Sequence, residues 1–246
     1  MPHFFVPSKN IKNGRFVLKG EEALHILRVM RLKPGGNMQL FDGEGKIYSA
    51  EIESAAKDGL SGRILSENQS CQVKTKINLF QAVPKGERMD WLVEKVAELG
   101  IGKITPIITE RSVIREIAAQ KIERWKRLSQ AASKQCGRAD LMIIEKPLIF
   151  AEAIEGIPKD AASIIPWEAE GARAVNDIAV QLRGSNSINI FIGPEGGFTF
   201  GEIESAKNAG ILPVTLGSRI LRVETAGIVS AVLVLNVSGE FDREIK

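Results

Sequence analysis

The chain has 246 residues, of which 44% are hydrophobic and 26% are charged, and its formal net charge is +3. These values are close to the average of soluble globular proteins, and the length suffices for one large domain or two smaller ones. The two cysteines, Cys71 and Cys136, exclude a disulfide framework and a metal site built from paired cysteines.

The chain shows no segment that would take it to or through a membrane. The first ten residues, MPHFFVPSKN, lack the basic stretch and long apolar run of a signal peptide. The longest apolar run, AGIVSAVLVLNV, begins at Ala226 and is shorter than the roughly 20 apolar residues that span a bilayer. We therefore expect a protein of the reducing cytoplasm, without a membrane partner, in which this run forms a buried helix or a subunit interface.

Residues 1–72 have the pattern of a small β-rich unit. Short runs typical of strands alternate with tight turns, and one segment between them has helical spacing of its apolar residues. The strands are expected in GRFVLK, in the two runs of NMQLFDGEGKIYSAEIES and in LSGRILSE, and the helix in GEEALHILRVMR. Strands this closely spaced predict a small barrel.

From residue 73 to residue 246 strands and helices alternate at short intervals. The strands are expected in INLFQAV, KITPII, AASIIPW, SINIFIG and ILPVTLG. The helices are expected in GERMDWLVEKVAELG, the segment from Lys121, ARAVNDIAVQLR, FGEIESAKNAG and ETAGIVSAVLVLNVSG. This alternation predicts an α/β domain with a parallel sheet, and the continuous apolar runs are typical of strands covered on both faces.

Positive charge is concentrated in the first two thirds of the chain. Residues 161–246 carry seven Lys and Arg against ten Asp and Glu, whereas the segment Lys121–Arg138 carries six basic residues and one acidic residue. A helix with this charge is either a surface for nucleic acid or a solvated helix face.

Three predicted strands end in segments that suit a ligand site: IIPWEAEG, FIGPEGG and TLGSRILRVET. In an open parallel sheet ligands bind beyond the carboxyl ends of the strands, and glycines let the backbone turn sharply there and leave room for a ligand. The pattern is neither the dinucleotide fingerprint nor a P-loop. Because the two histidines, His3 and His25, lie in the first unit, a Ser–His–Asp triad and a catalytic zinc are not expected.

Four motifs, in this order along the chain, together resemble the RsmE family: PKGERMDWLVEKVAELG, QCGR, GPEGGF and LGSRILRVETA. The segment HILRVMRLKPGG is similar to the amino-terminal part of that family. The resemblance implies a PUA-like β-barrel followed by a SPOUT-type α/β domain with a deep trefoil knot. It also implies methylation of N3 of a specific uridine in small-subunit (16S) ribosomal RNA, with S-adenosyl-L-methionine as the methyl donor.

The resemblance implies that three loops at the knot hold the cofactor. Twelve residues of these loops are expected to bind it: Pro166, Trp167, Glu168, Gly193, Pro194, Glu195, Gly196, Gly197, Leu216, Gly217, Ile220 and Leu221. The glycines would let backbone groups close around the cofactor, and Leu216, Ile220 and Leu221 would face its adenine. Glu195 either accepts backbone hydrogen bonds that stabilise its loop or contacts the positive end of the cofactor.

Methylation of N3 requires the loss of its proton, which leaves negative charge on the neighbouring carbonyl oxygens of uracil. An arginine near those oxygens would stabilise this charge, and Arg138 and Arg222 are the candidate catalytic residues. Ala131 stands where the family often has an acidic residue, so no carboxylate base is assigned. The reaction requires no metal.

The RNA partner is expected to be ribosomal RNA, either free or in the assembled small subunit. Residues of the barrel and of the basic helix are the candidates for contacting it: His25, Arg28, Arg31, Lys85, Arg124, Arg127 and Lys134. The resemblance further implies a homodimer formed by the α/β domain, with an interface that includes Val229, Val232 and Leu233.

Two other functions fit the same sequence. The first is a related methyltransferase that acts on a ribose 2′-hydroxyl of transfer or ribosomal RNA. The second is a non-catalytic RNA-binding protein in which the α/β domain is only a scaffold. Binding of S-adenosylmethionine would separate an enzyme from a simple RNA-binding protein.

Overall fold

The computed structural model describes residues 3–70, 73, 75–158 and 160–242. The chain divides into two compact units. The N-terminal unit contains Met1–Gln72 and Gln130–Leu141, and the C-terminal unit contains Val73–Ser129 and Met142–Lys246. Of the two cysteines, Cys136 is free and exposed, whereas Cys71 lies outside the described residues.

The N-terminal unit is built on one six-stranded sheet. Its strands are β1 (His3–Phe5), β2 (Ile11–Lys12), β3 (Arg15–Lys19), β4 (Asn37–Phe41), β5 (Lys46–Ala56) and β6 (Gly59–Gln69). They are hydrogen-bonded in the order β1-β4-β5-β6-β3-β2, and every pair is antiparallel except β1 with β4. The strands predicted in this region are therefore confirmed, and β1 and β2 are additional.

One face of that sheet covers the core of the unit. In β3 the side chains of Phe16 and Leu18 are buried, and the residue between them and the residues on either side are exposed. This is the alternation that a half-buried strand requires. Between β3 and β4 the chain forms helix α1 (Glu21–Leu24), which continues as a π-helical turn over His25–Val29. The buried Ala23 and Ile26 join the same core.

The C-terminal unit is an α/β domain with a parallel sheet, as predicted. Its strands are β7 (Lys76–Ala82), β8 (Lys103–Ile108), β9 (Ile143–Ile144), β10 (Leu148–Ile149), β11 (Ala162–Pro166), β12 (Ser187–Ile192) and β13 (Leu212–Val214). The order is β10-β8-β7-β12-β11-β13, β9 also pairs with β8, and all pairs are parallel. The apolar side chains of β12 are buried because helices cover the sheet.

The helices of this unit are the predicted ones, in the predicted order, with a further one at Phe150–Glu155. They are α2 (Arg88–Glu98), α3 (Ala119–Cys136, whose last residues group with the N-terminal unit), α4 (Phe150–Glu155), α5 (Ala179–Arg183), α6 (Phe200–Asn208) and α7 (Val223–Val237). Gly100 follows α2 with φ +94°, so the predicted glycine C-cap is confirmed. The helix predicted over 172–183 is shorter, because a 3₁₀ turn at Val175–Ile178 takes its first part.

Helix α7 carries the long apolar run and contacts helix α2. One side of α7 is fully buried, including Gly227, Ala231 and Val234. Val229, Val232 and Leu233, the residues expected at a subunit interface, are half-buried in the single chain. The prediction that this run is a buried helix is therefore confirmed, and its part in a dimer stays a prediction.

Candidate functional site

A cavity of about 780 Å³ lies in the C-terminal unit, beyond the carboxyl ends of β11, β12 and β13. These strands are parallel, with Ile164 opposite Ile190 and Pro166 opposite Val214, so the loops that follow them meet at one edge of the sheet. The volume is in the range of small-molecule sites. The cavity brings together all twelve residues predicted to bind the cofactor.

The loop of residues 193–197, called here the glycine loop, is held by a carboxylate at its centre. Glu195 Oε1 accepts a hydrogen bond of 3.0 Å from the backbone N–H of Lys85, in the segment between β7 and α2. The guanidinium of Arg88 lies 4.0 Å from Glu195 and 3.9 Å from the buried Glu224 of α7. The sequence left two roles open for Glu195, and these contacts favour the role of stabilising its own loop.

The glycines of this loop have close protein neighbours. A Cβ at Gly193 would lie 3.0 Å from the ring of Phe198, and one at Gly196 would lie 3.2 Å from Arg111 Cβ. Gly197 has φ +66°, and a Cβ there would lie 2.7 Å from Glu168 Oε1. Each glycine therefore accommodates a side chain of the fold, and the expectation that all three also leave room for a ligand stays a prediction.

The loop of residues 215–222, called here the arginine loop, has few contacts by comparison. Its backbone turns at Gly217, with φ +104° and a 3.2 Å hydrogen bond from the Gly217 N–H to Thr215 Oγ1. The side chain of Ile220 is 91% exposed. Within the described part of the chain, Arg219 and Arg222 make no side-chain hydrogen bond or ion pair, and both line the cavity.

The third loop, which follows β11, contributes an aromatic ring and acidic groups. The Trp167 ring meets the Phe200 ring edge-on, with centroids 5.4 Å apart, and the ammonium of Lys207 lies 5.8 Å from the Trp167 centroid. Glu170 accepts hydrogen bonds from the backbone N–H groups of Ala172 and Arg173, and these bonds lower the pKa of its carboxyl. The lining of the cavity thus includes three acidic residues, Glu168, Glu170 and Glu195, together with the arginines of the arginine loop. Such an arrangement suits a small ligand with a positive centre.

Comparison with known proteins identifies the family. The model of an RNA methyltransferase domain matches residues 71–235, and that of an RNA methyltransferase PUA domain matches residues 18–65. Ribosomal RNA small subunit methyltransferase E from Rickettsia conorii is 31% identical over 247 residues, covering 98% of this chain and 97% of the relative. The chain belongs to the ribosomal RNA small subunit methyltransferase E family.

Solved structures agree with this membership. A member of the family from Neisseria gonorrhoeae, bound to S-adenosyl methionine, is 33% identical with a TM-score of 0.88, covering 98% of this chain and 99% of the other. A putative methyltransferase from Legionella pneumophila, in complex with the cofactor SAM, is 30% identical with a TM-score of 0.83, covering 96% and 97%. The expected fold, a PUA-like domain followed by a SPOUT-type α/β domain, is confirmed.

The two candidate catalytic arginines of this family member have different surroundings. Arg222 lines the cavity and is exposed. Arg138 belongs to the N-terminal unit, where its side chain is only 9% exposed and forms an ion pair of 2.7 Å with Asp140. Arg138 is therefore not a solvated helix residue, and its catalytic role stays a prediction.

The candidate RNA-contacting residues fall into exposed and paired groups. In the N-terminal unit Arg28 and Arg31 are exposed and His25 begins the π-helical turn, while Lys134 donates to Glu22 at 2.7 Å. In the C-terminal unit Lys85 and Arg127 are exposed, and Arg124 forms an ion pair of 2.6 Å with Asp90. An RNA that contacts Arg124 or Lys134 must compete with those carboxylates.

Several residues at the site were missed from the sequence. Arg88, Arg111 and Glu170 contact or line the loops of the cavity, and Asp140 pairs with Arg138. Arg111 follows the end of β8, so the rule that ligand sites lie beyond parallel strands could have identified its segment.

Two kinds of feature are absent from the residues that the structure describes. No group of three or more His, Cys, Asp or Glu is placed there to hold a metal ion. None of the helices in those ranges combines the length and hydropathy that a bilayer span requires.

Proposed function

We propose that the protein transfers a methyl group from S-adenosylmethionine to N3 of a uridine in small-subunit ribosomal RNA. One observation carries this proposal. All twelve residues expected at the cofactor site line one cavity, which lies at the ends of three parallel strands. Membership of the family supports the assignment of ribosomal RNA as the substrate.

The residues of the cavity suit this cofactor. S-adenosylmethionine, when bound, supplies an electrophilic methyl group on a positively charged sulfur. The carboxylates of Glu168 and Glu170 complement positive charge, and Leu216 and Leu221 offer apolar surface for a flat ring. The glycine loop lines the cavity, so those of its peptide groups that have no protein partner could hydrogen-bond to the polar parts of such a ligand.

The chain's part in the reaction is to bind, orient and stabilise charge. Arg222 lines the cavity, and its guanidinium would stabilise the negative charge that spreads to O2 and O4 of a bound uracil when N3 loses its proton. The protein's main contribution would be to align N3 of the uracil with the methyl group that the bound cofactor supplies. Arg138 is the second candidate for this charge stabilisation.

Assembly and RNA contact belong to the same proposal. The half-buried Val229, Val232 and Leu233 of α7 would be covered by the same helix of a second subunit in a two-fold homodimer. The exposed Arg28, Arg31, Lys85 and Arg127 would bind phosphates, either of free ribosomal RNA or of the assembled small subunit in the cytoplasm.

The test is to map modified nucleotides on small-subunit ribosomal RNA from cells with and without the protein. N3 is a Watson–Crick donor, so a methyl group on N3 stops reverse transcription at that uridine, and the stop should disappear in the deletion strain. Purified protein with S-adenosylmethionine should restore it. Methylation on a ribose 2′-hydroxyl would support the related methyltransferase instead, and failure to bind S-adenosylmethionine in calorimetry would support the non-catalytic RNA-binding protein.

A further inference from the structure

We propose that Arg111 is a positioning residue that fixes the shape of the glycine loop from outside the cavity. It lies in the segment of residues 109–115, called here the strap, which directly follows β8. Arg111 is not among the residues that line the cavity, so its effect must pass through the loop.

The strap contacts the glycine loop directly. Arg111 Nη1 donates a hydrogen bond of 2.9 Å to the carbonyl oxygen of Gly196. The N–H of the same peptide group, on Gly197, donates 2.9 Å to the carbonyl of Pro194 and closes a turn. The peptide between Gly196 and Gly197 is therefore held at both its C=O and its N–H, which fixes the plane of the group.

The side chain of Arg111 also accounts for the glycine at position 196. Gly196 has a φ outside the left-handed region, so its backbone would accept an ordinary residue. A Cβ at this position would lie 3.2 Å from Arg111 Cβ and 3.5 Å from Arg111 Cδ. Close approach of the arginine stem is the reason for the glycine.

The strap itself is anchored by hydrogen bonds. Thr109 and Ser112 are buried, and the Thr109 N–H donates 2.9 Å to Ser112 Oγ, which sets the direction of the chain at Arg111. The Glu110 N–H donates 2.8 Å to Glu202 Oε1. The other oxygen of that carboxylate accepts from the Thr199 N–H at 2.9 Å in the capping box of α6. The strap is thus tied to the helix that follows the glycine loop, and Arg111 extends from a fixed base.

The inference rests on the proposed function because its main probe is S-adenosylmethionine. A double-mutant cycle of Arg111→Gly, Gly196→Ala and the double variant tests the contact, and Arg111→Ala tests the hydrogen bond by itself, with affinity measured by calorimetry. Loss of a charge-assisted hydrogen bond predicts that Arg111→Ala and Arg111→Gly each weaken cofactor binding about tenfold. Gly196→Ala should weaken it by a similar factor in the native background and by less than about twofold in the Arg111→Gly background, because that variant removes the Cβ that lies 3.2 Å from the new methyl group.

Two matched variants and a ligand-free readout complete the test. Arg115→Ala removes an arginine of the same strap that donates to the Thr109 carbonyl, and it should leave cofactor affinity within about twofold of wild type. Arg111→Lys keeps the charge but not the planar fork, and serves as the second variant if Arg111→Ala fails to fold. In the ligand-free protein, hydrogen exchange of the Gly197 amide should accelerate in Arg111→Ala and stay unchanged in Arg115→Ala.

Each outcome has a separate meaning. Independent effects of the two substitutions, or equal cofactor affinity in Arg111→Ala and wild type, would overturn the role of Arg111 while leaving the proposed function intact. A structural role alone would lower the melting temperature of Arg111→Ala and Arg115→Ala alike without a selective rise in KM for S-adenosylmethionine. A wild-type protein that does not bind S-adenosylmethionine would contradict the proposed function itself.

Discussion

The glycine loop and the arginine loop line the same cavity but are held very differently. The glycine loop is fixed by Glu195 on one side and by Arg111 on the other. The arginine loop carries the 91% exposed Ile220 and two arginines without a side-chain partner in the part of the chain that the structure describes. We therefore expect one half of the site to hold its shape before a ligand arrives, and the other half to adapt to the ligand.

The difference suits a reaction with two substrates. A rigid loop lowers the conformational entropy that cofactor binding must lose, because its shape is already set. An adaptable loop lets Arg222 and Ile220 close over a cofactor and an RNA base that arrive separately. We expect substitutions in the glycine loop to change cofactor affinity, and substitution of Arg222 in the arginine loop to change chemistry more than affinity.

The largest effect is expected for Arg222→Ala. Loss of a group that stabilises charge in the transition state should reduce single-turnover methylation about a hundredfold, with cofactor affinity changed less than about twofold. Rapid-quench methylation of ribosomal RNA and calorimetry measure the two quantities. Arg222→Lys should recover part of the rate. Unchanged turnover in Arg222→Ala would remove the arginine loop from the chemistry, and the same assay on Arg138→Ala tests the second candidate.

A smaller effect is expected for Glu195→Ala in the rigid loop. Loss of the hydrogen bond from the Lys85 N–H should cost about 1 kcal/mol of loop stability, since the carboxylate is partly solvated. This corresponds to about fivefold weaker binding of S-adenosylmethionine, measured by calorimetry, with a parallel decrease in the melting temperature. Weaker binding with an unchanged melting temperature would indicate instead that Glu195 contacts the cofactor directly.

Ile220→Ala should have a still smaller effect and separates affinity from stability. Because the side chain is 91% exposed, its truncation should leave the melting temperature unchanged. Partial burial against a bound cofactor predicts a loss of about threefold in affinity. Val180, 86% exposed on α5 and absent from the cavity lining, is the matched control, and Val180→Ala should change neither quantity. Equal effects of the two substitutions would mean that the arginine loop does not close.

The smallest effect is expected for Glu170→Gln, in the loop after β11, and it depends on pH. The pKa of Glu170 is lowered by backbone hydrogen bonds, so its contribution to stability is present above its unfolded value and is lost as pH falls through the lower folded value. Glu170→Gln should therefore lower the melting temperature slightly near pH 7 and converge with wild type as the pH falls well below about 4.5, so that its decrease in acid is flatter. Identical acid profiles of Glu170→Gln and wild type would contradict this anchoring.

The sequence predicted the parallel sheet because its strands are distinctive. INLFQAV and SINIFIG are continuous apolar runs, and both became central strands of the sheet, β7 and β12. The two-residue strands β9 and β10 and the short helix α4 were missed, since segments of this length show no measurable periodicity. The expectation of a knot came only from the resemblance, because threading leaves no local pattern in a sequence.

The candidate site was likewise predicted only in part from the sequence. The positions of the three loops followed from strand ends and glycines, and all twelve expected residues line the cavity. The reasons for the glycines did not follow, because Arg111 is 85 residues away from Gly196 along the chain. Contacts of this kind depend on the order of strands in the sheet, which the sequence alone does not specify. Likewise, α3 is one helix in the pattern of the sequence, and no local signal marks Gln130 as the point where the chain joins the other unit.

Hydrogen exchange with and without S-adenosylmethionine tests the central claim most directly. Without ligand, amides of residues 193–197 should exchange more slowly than those of residues 215–222. With saturating cofactor, protection should increase in residues 166–168, 193–197 and 215–222, with the largest gain in the arginine loop. Protection confined to other parts of the chain, or none at all with bound cofactor confirmed by calorimetry, would contradict the assignment of this cavity as the methyl-donor site.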